Sequence, residues 1–381
     1  MPQQLTRRVS KRTGSAIWQV RIQVGKKADG KPHFLIKSFA ARKDAVAFLN
    51  KARRDRDQGV LVDPSKLTLS QFLERWFEAK RGSLKPNTFE SYRRHAANYI
   101  EPSLGHRRLD RLSALEVQQV WSSLLALGLS TRTVLYAHAI LRHALQQAVR
   151  WRMLARNVAD DVDLPRHVRH EMKALGEAEV RRFFEVLLGT KHEVLFKFLI
   201  VTGVRPSEAF AVTWSDLDLE HGSVTIQRSL SWTKSGWSLG TTKTSRSRRQ
   251  LPLSANTVEL LRRHRARQFE HRMRLAGRWR DNGFVFADEC GGPLRAANVL
   301  RRHLRPLLRK AGLDDGLRLY DLRHTCASLL LAKNVHPKVA AERLGHSSVT
   351  LTLDTYSHVA ASMQQHASEL LDSILDDGSA T

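Results

Sequence analysis

Residues 344–359, with the sequence LGHSSVTLTLDTYSHV, form a polar stretch in which a histidine and a tyrosine lie ten residues apart. Tyr356 is either a buried aromatic residue or a nucleophile, because the tyrosine hydroxyl is one of the side-chain groups that form covalent intermediates. Gly345 is predicted to end a helix, which places His346 in the loop that follows. A reactive tyrosine would require other side chains that bind and activate its substrate.

A cation lies at the start of a predicted helix in the stretch VTGVRPSEAF. Gly203 is predicted to end an apolar helix and Pro206 suits the first turn of the next one, so Arg205 lies at the junction. Glu208 is placed either to hold the guanidinium or to cap the helix. Taken alone, this stretch fits a structural Arg–Glu pair as well as it fits an anion contact.

A second cation at a helix start occurs in LYDLRHTCASLLLAKN. Asp321 is predicted to cap this helix, which places Arg323 and His324 in the first turn, where backbone N–H groups and the helix dipole favour an anion. Arginines at two helix starts can bind one phosphate from two sides, because the planar guanidinium binds phosphate through paired hydrogen bonds.

Lys243, in TTKTSRSRR, is either a solvated hairpin charge or a cation that enters a DNA groove.

The order, spacing and context of these residues resemble the tyrosine recombinase (phage integrase) family. The resemblance is carried by Arg205, Lys243, RH at 323–324, LGH at 344–346 and TYSH at 355–358. The upstream organisation also resembles integrases that have an arm-type DNA-binding domain, so the resemblance covers nearly the whole chain. It implies a reaction that uses neither a cofactor nor a metal ion.

The resemblance also implies a role for each position of the motif. Tyr356 matches the nucleophile, and Arg205 and Arg323 match the two arginines that hold the scissile phosphate. Lys243 matches the lysine that protonates the leaving 5′-oxygen. His346 matches the position, histidine or tryptophan, that contacts a non-bridging phosphate oxygen.

The chain departs from the family pattern at Tyr320, which occupies the histidine position of a His-x-x-Arg motif. A phenol can donate a hydrogen bond to phosphate, but with a reference pKa of about 10 it is a poor acid–base group at neutral pH. The neighbouring His324 is a candidate substitute, although in the family this position usually supports the site by packing. Glu208 matches the acidic residue that supports the first arginine.

The charge balance indicates a polyanionic partner. The chain of 381 residues has 63 Lys and Arg against 37 Asp and Glu, a formal net charge of +26. Such a surplus is typical of nucleic-acid-binding proteins, and a merely solubilising surface is the alternative.

Cys290 and Cys326 are far apart and lack metal-ligand spacing, which argues against a disulfide framework or a zinc site. The absence of an apolar signal region predicts a cytoplasmic protein without a membrane partner.

Composition and pattern predict a multidomain α+β protein, mainly α with small β elements. We expect an arm-type DNA-binding module at 1–62, a helical, SAM-like core-binding domain at 66–156, a linker at 157–171 and a catalytic domain at 172–381. Within the last of these, residues 362–375 are predicted to form an amphipathic helix. Whether that helix packs on its own subunit or on a neighbouring one stays open.

Several elements can be predicted from local signals. Two β-like runs in residues 15–39 followed by a helical pattern indicate a hairpin-plus-helix unit. Four helices are expected in 68–154, two of them opened by capping boxes, at Thr68 with Gln71 and at Ser113 with Glu116. A small antiparallel sheet is predicted from three strands, at 222–232, 236–244 and 248–253.

The function expected from these features is site-specific DNA recombination through a covalent 3′-phosphotyrosine intermediate, which integrates or excises a mobile element. The expected partners are double-stranded DNA with core and arm-type attachment sites, a homotetramer on that DNA, an excisionase and a DNA-bending host protein. One alternative is a non-catalytic architectural or regulatory DNA-binding protein. Another is a type IB topoisomerase, which uses the same cleavage chemistry to relax DNA.

Overall fold

The computed structural model describes residues 5–9, 16–26, 32–57, 67–166, 172–234, 236–241, 248–346 and 348–350. The predicted roles of Lys243 and Tyr356, and the predicted helix at 362–375, lie outside these residues. The chain divides into two compact units, Met1–Val168 and Arg169–Thr381. The predicted fold class, mainly helical with small antiparallel sheets, is confirmed.

The first unit begins with an antiparallel sheet of three strands, in the order β1-β2-β3. The strands are β1 (Leu5–Val9), β2 (Ala16–Lys26) and β3 (Pro32–Phe39), and they are followed by helix α1 (Arg42–Asp57). Val20 and Ile22 of β2 pack against Ala45 and Leu49 of α1. Strand β1 was not predicted, because its sequence LTRRV is short and contains two adjacent arginines; its last three residues are exposed.

The rest of this unit is helical and confirms the four predicted helices. These are α2 (Leu69–Lys80), α3 (Pro86–His95) continued through a π-turn (Ala96–Ile100) into α4 (Glu101–Leu104), α5 (Ala114–Ala126) and α6 (Thr131–Arg150). Both capping boxes are present, at Thr68 and at Ser113. Trp76 and Trp121 are almost fully buried in the core that these helices share.

The segment predicted as a linker begins inside this helical unit. Val158–Asp161 form a 3-10 turn, and Ala159 is buried in the same core as the helices. Asn157 precedes the turn and accepts a hydrogen bond from the Ala159 backbone N–H at 3.1 Å. The division between the two units falls later, after Val168.

The second unit has eight helices among its described residues. They are α7 (Glu177–Leu187), α8 (Glu193–Thr202), α9 (Pro206–Ala209), α10 (Ala255–Leu275), α11 (Ala296–Val299), α12 (Arg305–Lys310), α13 (Asp321–Ala332) and α14 (Pro337–Leu344). A π-turn, Leu300–Leu304, joins α11 to α12. Helix α8 is apolar on nearly every side and lies in the middle of the core.

The predicted single sheet of this unit is wrong, because the strands form two separate sheets. One contains β4 (Leu217–Asp218), β5 (Ser223–Ile226) and β8 (Arg249–Pro252), and the other contains β6 (Arg228–Thr233) and β7 (Gly236–Thr241). The predicted strand 222–232 is interrupted at Gln227, whose Nε2 donates to Asp216 Oδ1 at 2.8 Å. This polar contact with a buried carboxylate lies between β5 and β6. Strand β8 pairs with β5 rather than with β7, its neighbour in the sequence.

No helix in the stretches that the structure describes is both long and apolar enough to span a bilayer.

Candidate active site

Arg323, in the first turn of α13, is the most deeply buried cation of the site, with 1% of its surface exposed. Its Nη1 donates to the Gly203 carbonyl at 2.9 Å. Its Nη2 is also buried and has no hydrogen-bond acceptor within the described part of the chain. Burial lowers the pKa of Arg323 to about 10, so the guanidinium is still charged at neutral pH. A buried charge with an unused donor is costly unless an anion binds there.

Arg205 precedes α9 and is held by the first turn of that helix. Its Nη1 donates to Glu208 Oε1 at 2.6 Å, and its backbone N–H donates to Glu208 Oε2 at 3.1 Å. Its Nη2 donates to the Gly345 carbonyl at 3.3 Å. Arg205 therefore connects the start of α9 to the end of α14, 140 residues away in sequence.

Arg249, which the sequence analysis missed, is a third arginine of this site. Its Nη2 donates to Glu208 Oε2 at 3.2 Å, and its Nε donates to the Arg343 carbonyl at 2.7 Å. Burial lowers the pKa of Arg249, with a counteracting contribution from Glu208. The available signal was the alternation in β8, where Arg249 lies on the same side as the buried Leu251.

His346 follows helix α14 at the same place. Gly345 ends the helix in the left-handed conformation, with φ 67°, and the His346 N–H donates to the Ala341 carbonyl at 3.0 Å. Burial and the nearby charges of Arg323 and Arg205 lower the pKa of His346 to about 4. The imidazole is therefore neutral at pH 7, with one ring N–H that can donate to an anion.

The predicted capping role of Asp321 is wrong. Tyr320 precedes the helix, and Asp321 is its first residue. The carboxylate of Asp321 instead accepts the Arg318 backbone N–H at 2.7 Å and the Arg318 Nη2 at 2.8 Å. The Asp321 carboxylate is therefore used by the backbone and the side chain of Arg318. It stabilises the turn before α13 and does not cap the helix.

Tyr320 and His324 lie one turn apart at the start of α13, but at different depths. Tyr320 is 39% exposed, whereas His324 is 8% exposed. Their rings meet edge to face with centroids 5.1 Å apart, and the Arg323 Cζ lies 5.9 Å from the Tyr320 ring centroid. Burial lowers the pKa of His324 to about 4. The accessible group at this position is thus the phenol, with a neutral imidazole packed beside it.

The helices that carry these residues meet at Gly203, the residue after α8. Gly203 is left-handed, with φ 65°, and a Cβ atom there would lie 2.6 Å from Leu344 Cδ2 and 2.9 Å from Cys326 Sγ. Helices α8, α13 and α14 therefore approach each other more closely than any other residue would permit. This approach also brings the Gly203 carbonyl within reach of Arg323.

The described site thus brings together six of the predicted residues: Arg205, Glu208, Tyr320, Arg323, His324 and His346, with Arg249 added. Three arginines surround one buried carboxylate and one neutral imidazole, and this arrangement suits an oxyanion with several negative oxygens. Within the described stretches there is no group of three or more His, Cys, Asp or Glu residues arranged to hold a metal ion.

Comparison with known proteins identifies two matching family profiles. Residues 173–363 match the phage integrase family, and residues 68–125 match the N-terminal SAM-like domain of phage integrases. A tyrosine recombinase XerC-like protein of Caldanaerobacter subterraneus subsp. tengcongensis is 26% identical over 385 residues, which cover 95% of this chain and 97% of that protein. An integrase of Streptomyces ambofaciens is 28% identical over 370 residues, with 95% of each chain covered.

Two solved structures have a similar fold. The integrase of transposon Tn1549, in complex with a circular intermediate DNA, aligns with a TM-score of 0.66 and 21% identity, covering 79% of this chain and 99% of that one. A lambda integrase tetramer bound to a Holliday junction aligns with a TM-score of 0.58 and 17% identity, covering 92% and 97%.

Proposed function

The chain belongs to the phage integrase family of tyrosine recombinases, and we propose that it cuts and rejoins DNA through a covalent 3′-phosphotyrosine formed by Tyr356. The observation that carries this proposal is the buried guanidinium of Arg323, whose Nη2 has no acceptor among the described residues. An oxygen of a scissile phosphate would supply that acceptor. Arg205, linked to the same corner through Gly345, would bind the phosphate from the other helix start.

In the proposed reaction, the Tyr356 oxygen attacks phosphorus while its proton leaves to water. The bond between phosphorus and the 5′-oxygen breaks, and Lys243 gives that oxygen a proton, so that a free 5′-hydroxyl results. Negative charge grows on the non-bridging oxygens, where Arg205 and Arg323 stabilise it; the loss of one such donor typically costs about 100–1000-fold in rate. One phosphoester bond replaces another, so rejoining requires no external energy source.

Two neutral groups complete the proposed phosphate site. The pKa of His346 is about 4 in the protein without DNA, so a neutral imidazole meets the phosphate and can donate a ring N–H to a non-bridging oxygen. Tyr320 acts as an O–H donor from the position where the family usually has histidine. The more buried His324 packs against the Tyr320 ring and orients it.

We further propose that recombination occurs in a tetramer on two synapsed sites, and that it integrates or excises a mobile element in the bacterial cytoplasm. The domain organisation proposed for this is arm-type binding by 1–62, core-site binding by 66–156, a linker at 157–171 and catalysis by 172–381. The net charge of +26 supports extensive phosphate contacts. A relative named integrase, matched over 95% of its length, supports the element-mobilising role.

The proposal is tested by a strand-exchange assay between two plasmids that carry the attachment sites flanking the gene. Wild-type protein should produce recombinant junctions, and Tyr356→Phe should produce none while it still binds the sites. Relaxation of a supercoiled plasmid without any attachment site would instead favour a type IB topoisomerase. Site-specific binding by the wild type without any exchange or cleavage would favour an architectural protein.

A further inference from the structure

A buried carboxylate lies directly beside the proposed phosphate site. Glu208 is 2% exposed, and its Oε1 and Oε2 accept the Arg205 Nη1 at 2.6 Å and the Arg205 backbone N–H at 3.1 Å. These contacts fix the orientation of Arg205. A negative charge in contact with a guanidinium also cancels much of the field that the guanidinium exerts on a third group. An Arg205–Glu208 pair on its own would therefore attract a phosphate only weakly.

A second cation reaches the same carboxylate from strand β8. The Arg249 Nη2 donates to Glu208 Oε2 at 3.2 Å, and the two side chains are only 8% and 2% exposed. Solvent and salt screen such a buried pair much less than a surface pair. Glu208 is thus shared by two guanidiniums, and this group of three side chains keeps one positive charge instead of none.

The position of Arg249 is fixed by the turn after α14. The Arg249 Nε donates to the Arg343 carbonyl at 2.7 Å. A Cβ atom on Gly345 would lie 3.0 Å from Arg249 Nη1 and 3.2 Å from Arg249 Cζ, so the guanidinium lies against this glycine. The Gly345 carbonyl in turn accepts the Arg205 Nη2 at 3.3 Å. Arg249 is therefore a charge in a fixed position next to Arg205.

The charges of the site suit an oxyanion only when Arg249 is included. Arg205, Arg249 and Arg323 are positive, Glu208 is negative, and His346 is neutral at pH 7 because burial lowers its pKa to about 4. These five side chains together carry a net charge of +2. A phosphodiester has one negative charge, and its non-bridging oxygens gain more as a nucleophile attacks. Without Arg249 the net charge of the group would be +1.

Two other roles for Arg249 are direct contact with the phosphate and a purely structural ion pair. Direct contact is disfavoured because Arg249 is 8% exposed, whereas the Arg205 side chain is 23% exposed. Its Nε and Nη2 are also directed at the Arg343 carbonyl and at Glu208. A purely structural pair would affect folding without changing the attraction of the site for a negative charge.

We propose that Arg249 is a positioning residue whose charge offsets that of Glu208, so that Glu208 orients Arg205 without cancelling the attraction of Arg205 for the scissile phosphate; the inference rests on the proposed function. Glu208 determines the geometry of Arg205, and Arg249 maintains the charge of the site. Removing the charges of Glu208 and Arg249 together should therefore be less harmful than removing that of Arg249 alone.

The first measurement is of binding, with full-length protein carrying Tyr356→Phe so that no cleavage occurs. Two duplexes of the attachment site are compared, one with a phosphodiester at the scissile position and one with a neutral methylphosphonate there. The ratio of the two affinities reports the attraction for one negative charge, because all other DNA contacts are shared. Arg249→Gln should lower this ratio about tenfold, the order expected from one nearby charge. Adding Glu208→Gln should restore most of it, a coupling that a double-mutant cycle measures.

The second measurement is the single-turnover rate of cleavage with Tyr356 intact. Arg249→Gln should be about 10–100-fold slower than wild type, and Glu208→Gln in the same chain should recover part of the loss. Arg249→Lys keeps the charge and should retain an affinity ratio close to that of wild type. Arg263→Gln is the control, because it removes an exposed arginine of α10 that pairs with Glu259, and it should change neither quantity.

A wild-type affinity ratio in Arg249→Gln would overturn the inference. A lowered ratio that Glu208→Gln does not restore would also overturn it, because Arg249 would then act by direct contact or through the fold. If Arg249→Gln alone does not fold, the double variant decides: a ratio near that of wild type upholds the inference, and a tenfold lower one overturns it. The predicted ratios without any cleavage by the Tyr356 protein would uphold the role of Arg249, while the proposed function would fail.

Discussion

At the scale of single residues, the site is defined by how its cations are placed rather than by their number. Glu208, 2% exposed, accepts hydrogen bonds from both Arg205 and Arg249, and this holds two guanidiniums in fixed orientations. Among the residues that the structure describes, Arg323 has no carboxylate partner of its own and instead binds the Gly203 carbonyl. The arginine with the least compensated charge is thus the one that we propose to contact the phosphate most directly.

Replacing Arg323 by lysine should lower the rate of DNA cleavage about 100–1000-fold. Lysine has a single ammonium nitrogen, which cannot replace the two separate guanidinium nitrogens that would bind the Gly203 carbonyl and a phosphate oxygen. DNA affinity should change little, since lysine keeps the positive charge and the net charge of +26 offers many other cations to the DNA backbone. Single-turnover cleavage of a nicked substrate measures the effect. Arg318→Lys is the control: it affects a more exposed arginine three residues before Asp321. Equal rates for the two variants would contradict the assigned role.

Histidine titration should lower stability on acidification. The pKa of His346 is about 4 in the folded protein, below its usual value of 6.5, so its contribution to stability is complete above pH 6.5 and is lost as pH falls towards 4. His346→Trp removes this titration. Its urea midpoint should therefore fall less than that of wild type between pH 7 and pH 5. A larger fall in the variant would show that His346 is charged in the folded state.

At the scale of elements, glycine positions decide how the site is assembled. The sequence pattern predicted that Gly203 and Gly345 end helices, and both do, in the left-handed conformation. It could not predict that Gly203 is also the meeting point of α8, α13 and α14, because this depends on tertiary packing. The same limit applies to Asp321, which was predicted to cap α13. Its carboxylate instead accepts a hydrogen bond from Arg318, three residues earlier.

Gly203→Ala should destabilise the protein by about 1–3 kcal/mol more than Gly189→Ala, because its Cβ would overlap Leu344 and Cys326. Gly189 has a similar φ of 73° but no heavy atom within 4 Å of the position of a Cβ, so it reports the backbone strain alone. Urea unfolding of the two variants measures the difference. Equal destabilisation would mean that the close approach at Gly203 is not required.

At the scale of the whole molecule, the sequence predicted the fold class and the family, but it was less informative about strand pairing. Capping boxes and apolar periodicity are local, so the helices of the first unit could be placed in advance. Sheet pairing depends on non-local contacts, and the separation of β5 from β6 arises from Asp216, a buried carboxylate that accepts from Gln227 and Arg228. Arg249 was missed for the same reason, since its partners are distant in sequence.

Deletion of residues 361–381 should abolish cooperative assembly on paired sites and leave the binding of a single protomer to one site unchanged. The sequence of 362–375 predicts a helix with an apolar face, and this result is the one expected from docking of that face on a neighbouring subunit rather than on its own. Electrophoretic mobility shifts over a range of protein concentrations measure both properties. Unchanged cooperativity would show that this segment packs on its own subunit.

The most direct test of the central claim is covalent capture of DNA by Tyr356. The protein would be incubated, with EDTA present, with a nicked duplex that carries its own crossover site, and the products would be separated in SDS. We predict a protein–DNA adduct whose linkage maps to Tyr356 by mass spectrometry of the attached peptide, and which Tyr356→Phe does not form. Binding of the correct site without an adduct, or an adduct that persists in Tyr356→Phe, would contradict the account.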